Sequence, residues 1–192
     1  MEQQNRKHLS DHYAIRRLKQ GECIKSFNCG DADLNDFILN ESVYYRNALL
    51  AVSYTVEQKD DSNNVIAYFS LANDRISLGD FESKTEFNRF RKHRFVNEKR
   101  LKSYPAVKIC RLGVDLSMKG LFVGTFLLNF IKSYFIIDNK TGCRFLTVDA
   151  YAAAVPFYFK NGFIPLNEDD ADSATRLLFF DLATIADGTI EF

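Results

Sequence analysis

The run from Val107 to Leu128 constrains this chain more than any other stretch. Val107 to Asp115 (Val-Lys-Ile-Cys-Arg-Leu-Gly-Val-Asp) is mostly apolar and β-branched, the composition of a buried strand. Next come Gly120 and Gly124, with Lys119 beside the first glycine. Thr125 to Ile137 then reads as a helix whose buried side is Leu127, Leu128, Ile131, Tyr134 and Phe135. A loop that feeds a helix N-terminus offers unpaired N–H groups and the positive end of the helix dipole to an anion. An ordinary strand-to-helix turn has the same two glycines, so the spacing alone leaves both readings open.

The rest of the chain supplies the elements around this unit. Tyr13 to Leu18 alternates as a strand would. Asp31 or Asn28 can cap a following helix, with Asp33 and Asp36 near its positive end and Leu34, Phe37, Ile38 and Tyr45 as its buried stripe. Leu50 to Gln58 and Val65 to Leu71 read as strands around the turn residues Asp60 to Asn64. Pro105 closes the next segment and Val107 opens the central strand. Cys143 to Asp149 is a further strand, and Ala153 to Asn161 a short helix with Pro156 in its first turn. Asn167 to Ser173 is an acidic loop, and Thr175 to Ile185 a last strand.

With 192 residues, 46% of them hydrophobic, the chain fits one domain with an ample core. Its net charge of zero offers no bulk attraction to nucleic acid or membrane. Cys23, Cys29, Cys110 and Cys143 are dispersed without a C-x-x-C pair, which argues against a disulfide framework or a zinc site, and His8, His12 and His93 lack metal spacing. We expect no metal. The polar N-terminus and the lack of an 18-residue apolar span point to the cytoplasm, with no membrane partner.

The charge is unevenly distributed. From Lys84 to Lys102 there are eight Lys and Arg residues against Glu86 and Glu98, and Phe81, Phe87, Phe90 and Phe95 are interleaved at roughly helical spacing. This marks a basic helical insertion over about 80–104. It is either a solvated helix docked through its phenylalanines or a basic face for a phosphate-rich substrate, with Arg89, Arg91 and Lys92 as contacts.

Arg111-Leu-Gly-Val-Asp115 followed by Lys119-Gly-x-x-x-Gly124 resembles the acetyl-CoA core of the GNAT acetyltransferase superfamily. Val148-Asp-Ala-Tyr-Ala-Ala-Ala-Val-Pro-Phe-Tyr158-Phe-Lys-Asn-Gly-Phe163 resembles the strand, short helix and Gly-Phe ending of the same family. The resemblance spans about Phe27 to Leu182. Phe27-Asn-Cys-Gly is similar to a branch of toxins that act on aminoacyl-tRNA. The implied fold is α+β, one domain over 1–192, with a mixed central sheet splayed at the cofactor site and flanked by helices. The implied activity is transfer of acetyl from acetyl-CoA to a primary amine, releasing coenzyme A, and the α-amine of an aminoacyl-tRNA is one acceptor it suggests. A homodimer is left open.

The resemblance also implies residue roles. Leu112, Gly113 and Val114 would pair through their backbone with the pantetheine arm, the Val114 N–H facing the thioester carbonyl. Lys119, Gly120, Leu121, Phe122, Val123, Gly124 and Thr125 would hold the diphosphate, and Asn73 would lie near the acceptor. Tyr158 would protonate the departing thiolate. Asp149 is the one carboxylate considered as a base, against a plain strand-end role. Two positions depart from the family pattern. Phe122 stands where the loop has its middle glycine, so the loop is expected to take another path, and Ala152 stands where many members have a cofactor-binding Asn. They leave open an alternative, a catalytically weak or inactive binding module of the same fold.

Overall fold

The computed structural model describes residues 12–137, 141–168 and 170–186. Its strands are β1 (Tyr13–Arg17), β2 (Val52–Gln58), β3 (Asp61–Ser77), β4 (Ser103–Val114), β5 (Phe145–Tyr151), β6 (Ile164–Pro165) and β7 (Thr175–Asp181). They form an open seven-stranded sheet in the order β1-β2-β3-β4-β5-β7-β6. The sheet is mixed: β4 and β5 are parallel, whereas β1 with β2, β2 with β3, β5 with β7 and β6 with β7 are antiparallel. Helices α1 (Ala32–Asp36), α2 (Ser42–Asn47), α3 (Lys84–Arg94), α4 (Val123–Ile136), α5 (Val155–Lys160) and α6 (Ala183–Ala186) flank it. Its α+β class is the expected one. Among the described residues the β4–β5 ladder comprises Ala106↔Phe145, Val107↔Leu146 and Lys108↔Thr147. Beyond it β4 continues to Val114 and β5 to Tyr151.

The chain packs as two compact units. Of the described residues, one unit takes 12–72 and Ile109–Ser133; the other takes Asn73–Lys108 and those between 134 and 186.

In the first unit, Leu18, Ile24, Phe27, Phe37, Ile38, Val65 and Tyr68 form one buried cluster. Asp31 caps α1, its carboxylate accepting from the Leu34 N–H at 2.9 Å. Phe37 and Ile38 are buried as their spacing requires, but Tyr45 is 43% exposed, a correction to the expected stripe. The cause is a π-helical turn over Phe37–Glu41, which inserts one residue and rotates everything after it. Ser42 and Arg46 turn inward in place of Tyr45. The Arg46 guanidinium donates to Ser42 Oγ at 3.0 Å, to Ser53 Oγ and the Lys19 carbonyl at 3.3 Å, and to the Glu22 carbonyl.

In the second unit, Ile76, Phe87, Phe90, Tyr104, Ala106, Phe145, Leu166 and Phe179 form the core, with Phe81 and Phe95 packed against it. The interleaved phenylalanines are therefore core residues. Phe87 and Phe90, three apart, share the inner face of α3, and Phe95 stacks on Tyr104 at 4.1 Å between ring centres. Ser83 caps α3, accepting from the Glu86 N–H at 3.2 Å.

Several boundaries differ from the expectation, most of them by a residue or two, and those of β3, β4 and β7 by more. Strand β3 starts at Asp61, inside the expected turn, and runs on past Leu71 to Ser77. Strand β4 starts at Ser103, with Pro105 inside it rather than before it. The proline is tolerated because the ladder to β5 begins one residue later, while its carbonyl accepts from the Arg144 N–H at 3.0 Å. Strand β7 ends at Asp181, not Ile185. There the Asp181 carboxylate accepts from the Ala183 N–H and its carbonyl from the Thr184 hydroxyl, which starts α6.

Candidate functional site

The loop between β4 and α4 lies wholly in the first unit. Gly113 is buried, and a Cβ there would come within 3.2 Å of the Phe27 ring and 3.3 Å of Leu34, so glycine is needed for close packing. Asp115 anchors the loop. Its carboxylate accepts from Ser117 N at 3.0 Å, Ser117 Oγ at 2.7 Å and Asn28 N at 3.2 Å. Burial alone would raise this carboxyl's pKa; the bonds from Ser117 and Asn28 outweigh it and hold the carboxyl below its ordinary value. A 3₁₀ turn over Leu116–Met118 follows.

Two residues of the loop take left-handed backbone, Gly120 at φ +78° and Phe122 at φ +60°. A methyl group on Gly120 would meet nothing within 4 Å, so conformation and not space selects glycine there. Phe122 adopts the left-handed backbone that glycine takes without strain, at a cost of about 1–2 kcal/mol for a residue with a Cβ. The backbone bends in the left-handed sense at this residue, and the ring is 52% exposed.

The first hydrogen bond of α4 runs from the Phe126 N–H to the Phe122 carbonyl at 3.0 Å. Before it, the N–H groups of Gly120, Phe122, Val123, Gly124 and Thr125 meet no acceptor among the described residues. The Leu121 N–H does, donating to the Met118 carbonyl at 3.3 Å, so of the predicted diphosphate residues Leu121 contributes no free amide. Lys119 is exposed and has no ion-pair partner among the described residues. Amides without an acceptor at a helix N-terminus, beside an exposed lysine, are the groups that an anion would meet at this turn.

Tyr158 belongs to the second unit, on α5. It is 6% exposed, and its ring meets Phe157 and Phe163 edge-on at 5.2 and 5.3 Å. Its hydroxyl has no hydrogen-bond partner among the described residues. Burial pushes its pKa well above that of a free phenol, so the hydroxyl carries its proton at any physiological pH. Ala152 is exposed at the start of a 3₁₀ turn, its N–H donating to the Ala174 carbonyl at 3.1 Å.

The other candidates also fall in the second unit. Asn73 is exposed on β3, and Arg89 and Lys92 are exposed on α3. Arg91 is engaged in the fold: it donates to the carbonyls of Arg100 and Leu101 at 3.3 and 3.2 Å and lies over the Phe87 ring. Asp149, the considered base, forms an ion pair with Lys108. The sequence reading passed over Asp74, whose carboxylate accepts from the buried Thr147 hydroxyl. Thr147 closes the β4–β5 ladder, so this pair marks where the parallel pairing stops. Only the extension of β3 past Leu71 could have signalled it.

Among the described residues no three His, Cys, Asp or Glu side chains are grouped to hold a metal ion, and no helix is long and apolar enough to cross a membrane.

An open, mixed seven-stranded sheet flanked by helices is the expected GNAT fold. No family model and no curated protein matches the chain, but solved structures do. A tyrosine-to-phenylalanine mutant of KacT matches with a TM-score of 0.72 and 22% identity, over 91% of this chain and 97% of its own. AtaTR bound with acetyl-CoA matches at 0.71 and 24%, over 91% and 96%. AtaT complexed with acetyl-methionyl-tRNAfMet matches at 0.67 and 23%, over 90% and 96%. At these identities the likeness is one of fold.

Proposed function

We propose that this chain is an N-acetyltransferase that moves acetyl from acetyl-CoA to a primary amine, with the α-amine of an aminoacyl-tRNA as acceptor. The observation that carries the reading is the left-handed backbone of Phe122 next to five unpaired amides. That conformation offsets the objection raised by the missing glycine. Two further supports are structural neighbours, AtaTR bound with acetyl-CoA and AtaT complexed with acetyl-methionyl-tRNAfMet.

In this reading the N–H groups of Gly120 and of Phe122 to Thr125 hold the diphosphate, with Lys119 adding charge. The backbone of Leu112 to Val114 aligns the pantetheine arm, and the Val114 N–H stabilises the oxyanion that forms as the amine attacks. The neutral amine nitrogen bonds to the carbonyl carbon and the carbon–sulfur bond breaks. The Tyr158 hydroxyl gives its proton to the departing sulfur and regains one, through water, from the nitrogen. Burial keeps the phenol protonated near neutrality, so the proton is in place when the sulfur departs, and makes it a weaker acid than a free phenol. Because Asp149 is paired with Lys108, the amine reaches its neutral form through water, which an α-amine of pKa near 8 permits. Asn73, Arg89 and Lys92 are the exposed side chains left for the acceptor.

Titration of the purified protein with acetyl-CoA tests the cofactor, and the absence of heat at millimolar concentration refutes it. Inhibition of cell-free translation, relieved by peptidyl-tRNA hydrolase, tests the acceptor; unaffected translation removes it. Tyr158→Phe keeps the ring contacts and loses no hydrogen bond, so it leaves the fold intact while lowering kcat by about 10²–10⁴. The alternative, a binding module without activity, keeps one observation in its favour, the bare Ala152. It predicts that Tyr158→Phe changes nothing.

A further inference from the structure

Phe122 raises a question that an anion at this turn does not answer. A glycine would hold this backbone without strain, yet the chain keeps a phenylalanine at φ +60° with half its surface in solvent. The ring makes no aromatic contact with any described residue. Beside it Leu121 is 48% exposed, so an apolar surface borders these amides. Strain held at a half-exposed loop residue, whose ring meets no other aromatic ring among the described residues, points to a contact made outside the chain.

We propose that the Phe122 ring is the platform on which the adenine of the cofactor stacks, making it the residue that selects the nucleotide end of acetyl-CoA. The inference rests on the acetyl-CoA reading above. The pantetheine arm would leave the diphosphate toward β4, so the adenosine leaves on the opposite side, toward the start of α4. A side chain at position 122, flanked by the unpaired amides of Gly120 and Val123, stands at that exit. Every base has a π-face that an aromatic ring can cover, and such stacking tightens binding by about ten- to hundredfold.

The chain contains no tryptophan, so Phe122→Trp introduces a single fluorophore at the position in question. Its emission is expected to be quenched on titration with acetyl-CoA or adenosine 3′,5′-bisphosphate and to be unchanged with acetyl-4′-phosphopantetheine, which lacks the adenosine. In parallel, Phe122→Leu keeps the Cβ and the bulk but not the π-face. Calorimetry should show it binding acetyl-CoA about ten- to hundredfold more weakly than wild type, with acetyl-4′-phosphopantetheine unaffected. If Phe122→Leu binds acetyl-CoA as wild type does, or weakens both ligands equally, or if phosphopantetheine quenches as well, the stacking role is refuted and the cofactor reading stands. If wild type binds neither ligand, both fall together.

Discussion

The left-handed backbone at position 122 can be tested by stability alone, without any ligand. Phe122→Gly and Phe122→Ala delete the same ring and so lose the same contacts; the two variants differ by one Cβ. At φ +60° that Cβ costs about 1–2 kcal/mol in the folded state. Against this, glycine frees the unfolded chain and costs about 0.4–1 kcal/mol. The folded-state effect is the larger, so Phe122→Gly should be more stable than Phe122→Ala by about 0.5–1 kcal/mol. In a chain of this size that is about 1–4 °C in Tm. Where φ is negative the order reverses, because only the unfolded-state effect remains. Thermal and urea unfolding of the ligand-free variants read the sign directly. If the alanine variant equals or exceeds the glycine variant, the loop does not hold this turn, and the amides before α4 are not arranged as described.

Three further outcomes follow from groups elsewhere in the fold. Lys132 is buried on α4, which lowers its ammonium pKa from 10.5 to about 8; burial therefore penalises the charged form, the penalty is full below pH 8 and gone above pH 10.5, and the difference in stability between Lys132→Met and wild type should shrink as pH rises from 8 to 10.5. Asp181 faces two guanidinium groups, Arg144 at 2.8 Å and Arg94 at 3.7 Å, so Asp181→Asn, which keeps the α6 cap, should cost about 2–4 kcal/mol in urea unfolding because two half-buried cations lose their counter-charge. The rate of acetyl transfer should rise with pH as the amine is deprotonated and show no descending limb up to pH 10, since burial keeps the Tyr158 hydroxyl protonated throughout.

Local chemistry made much of the fold readable from residues alone. The apolar run into Asp115, the glycines and lysine of the loop, the amphipathic helix after it and the Asp31 cap are short-range signals, and each formed the element it announced. The spacing of Phe87 and Phe90 likewise fixed which face of α3 is buried, though it could not separate a core role from a ligand role. That decision needed Tyr104, Phe145 and Phe179, which come from distant strands and meet those rings only in the folded chain.

Other features were beyond any sequence rule. The π turn at Phe37–Glu41 replaces Tyr45 by Arg46 on the inner face, because Arg46 finds four acceptors on Lys19, Glu22, Ser42 and Ser53, none of them adjacent in sequence to another. Pro105 sits inside a strand because its partner strand happens to start one residue later. Asp149 was a candidate base by position and became the partner of Lys108 by pairing across parallel strands. The sequence named the turn at Gly120–Gly124 and flagged Phe122 as an obstacle; only the folded backbone decided that the phenylalanine would accept a left-handed conformation. A dihedral angle at one residue is set by the strand and helix on either side of it, and those are held in place by the whole unit.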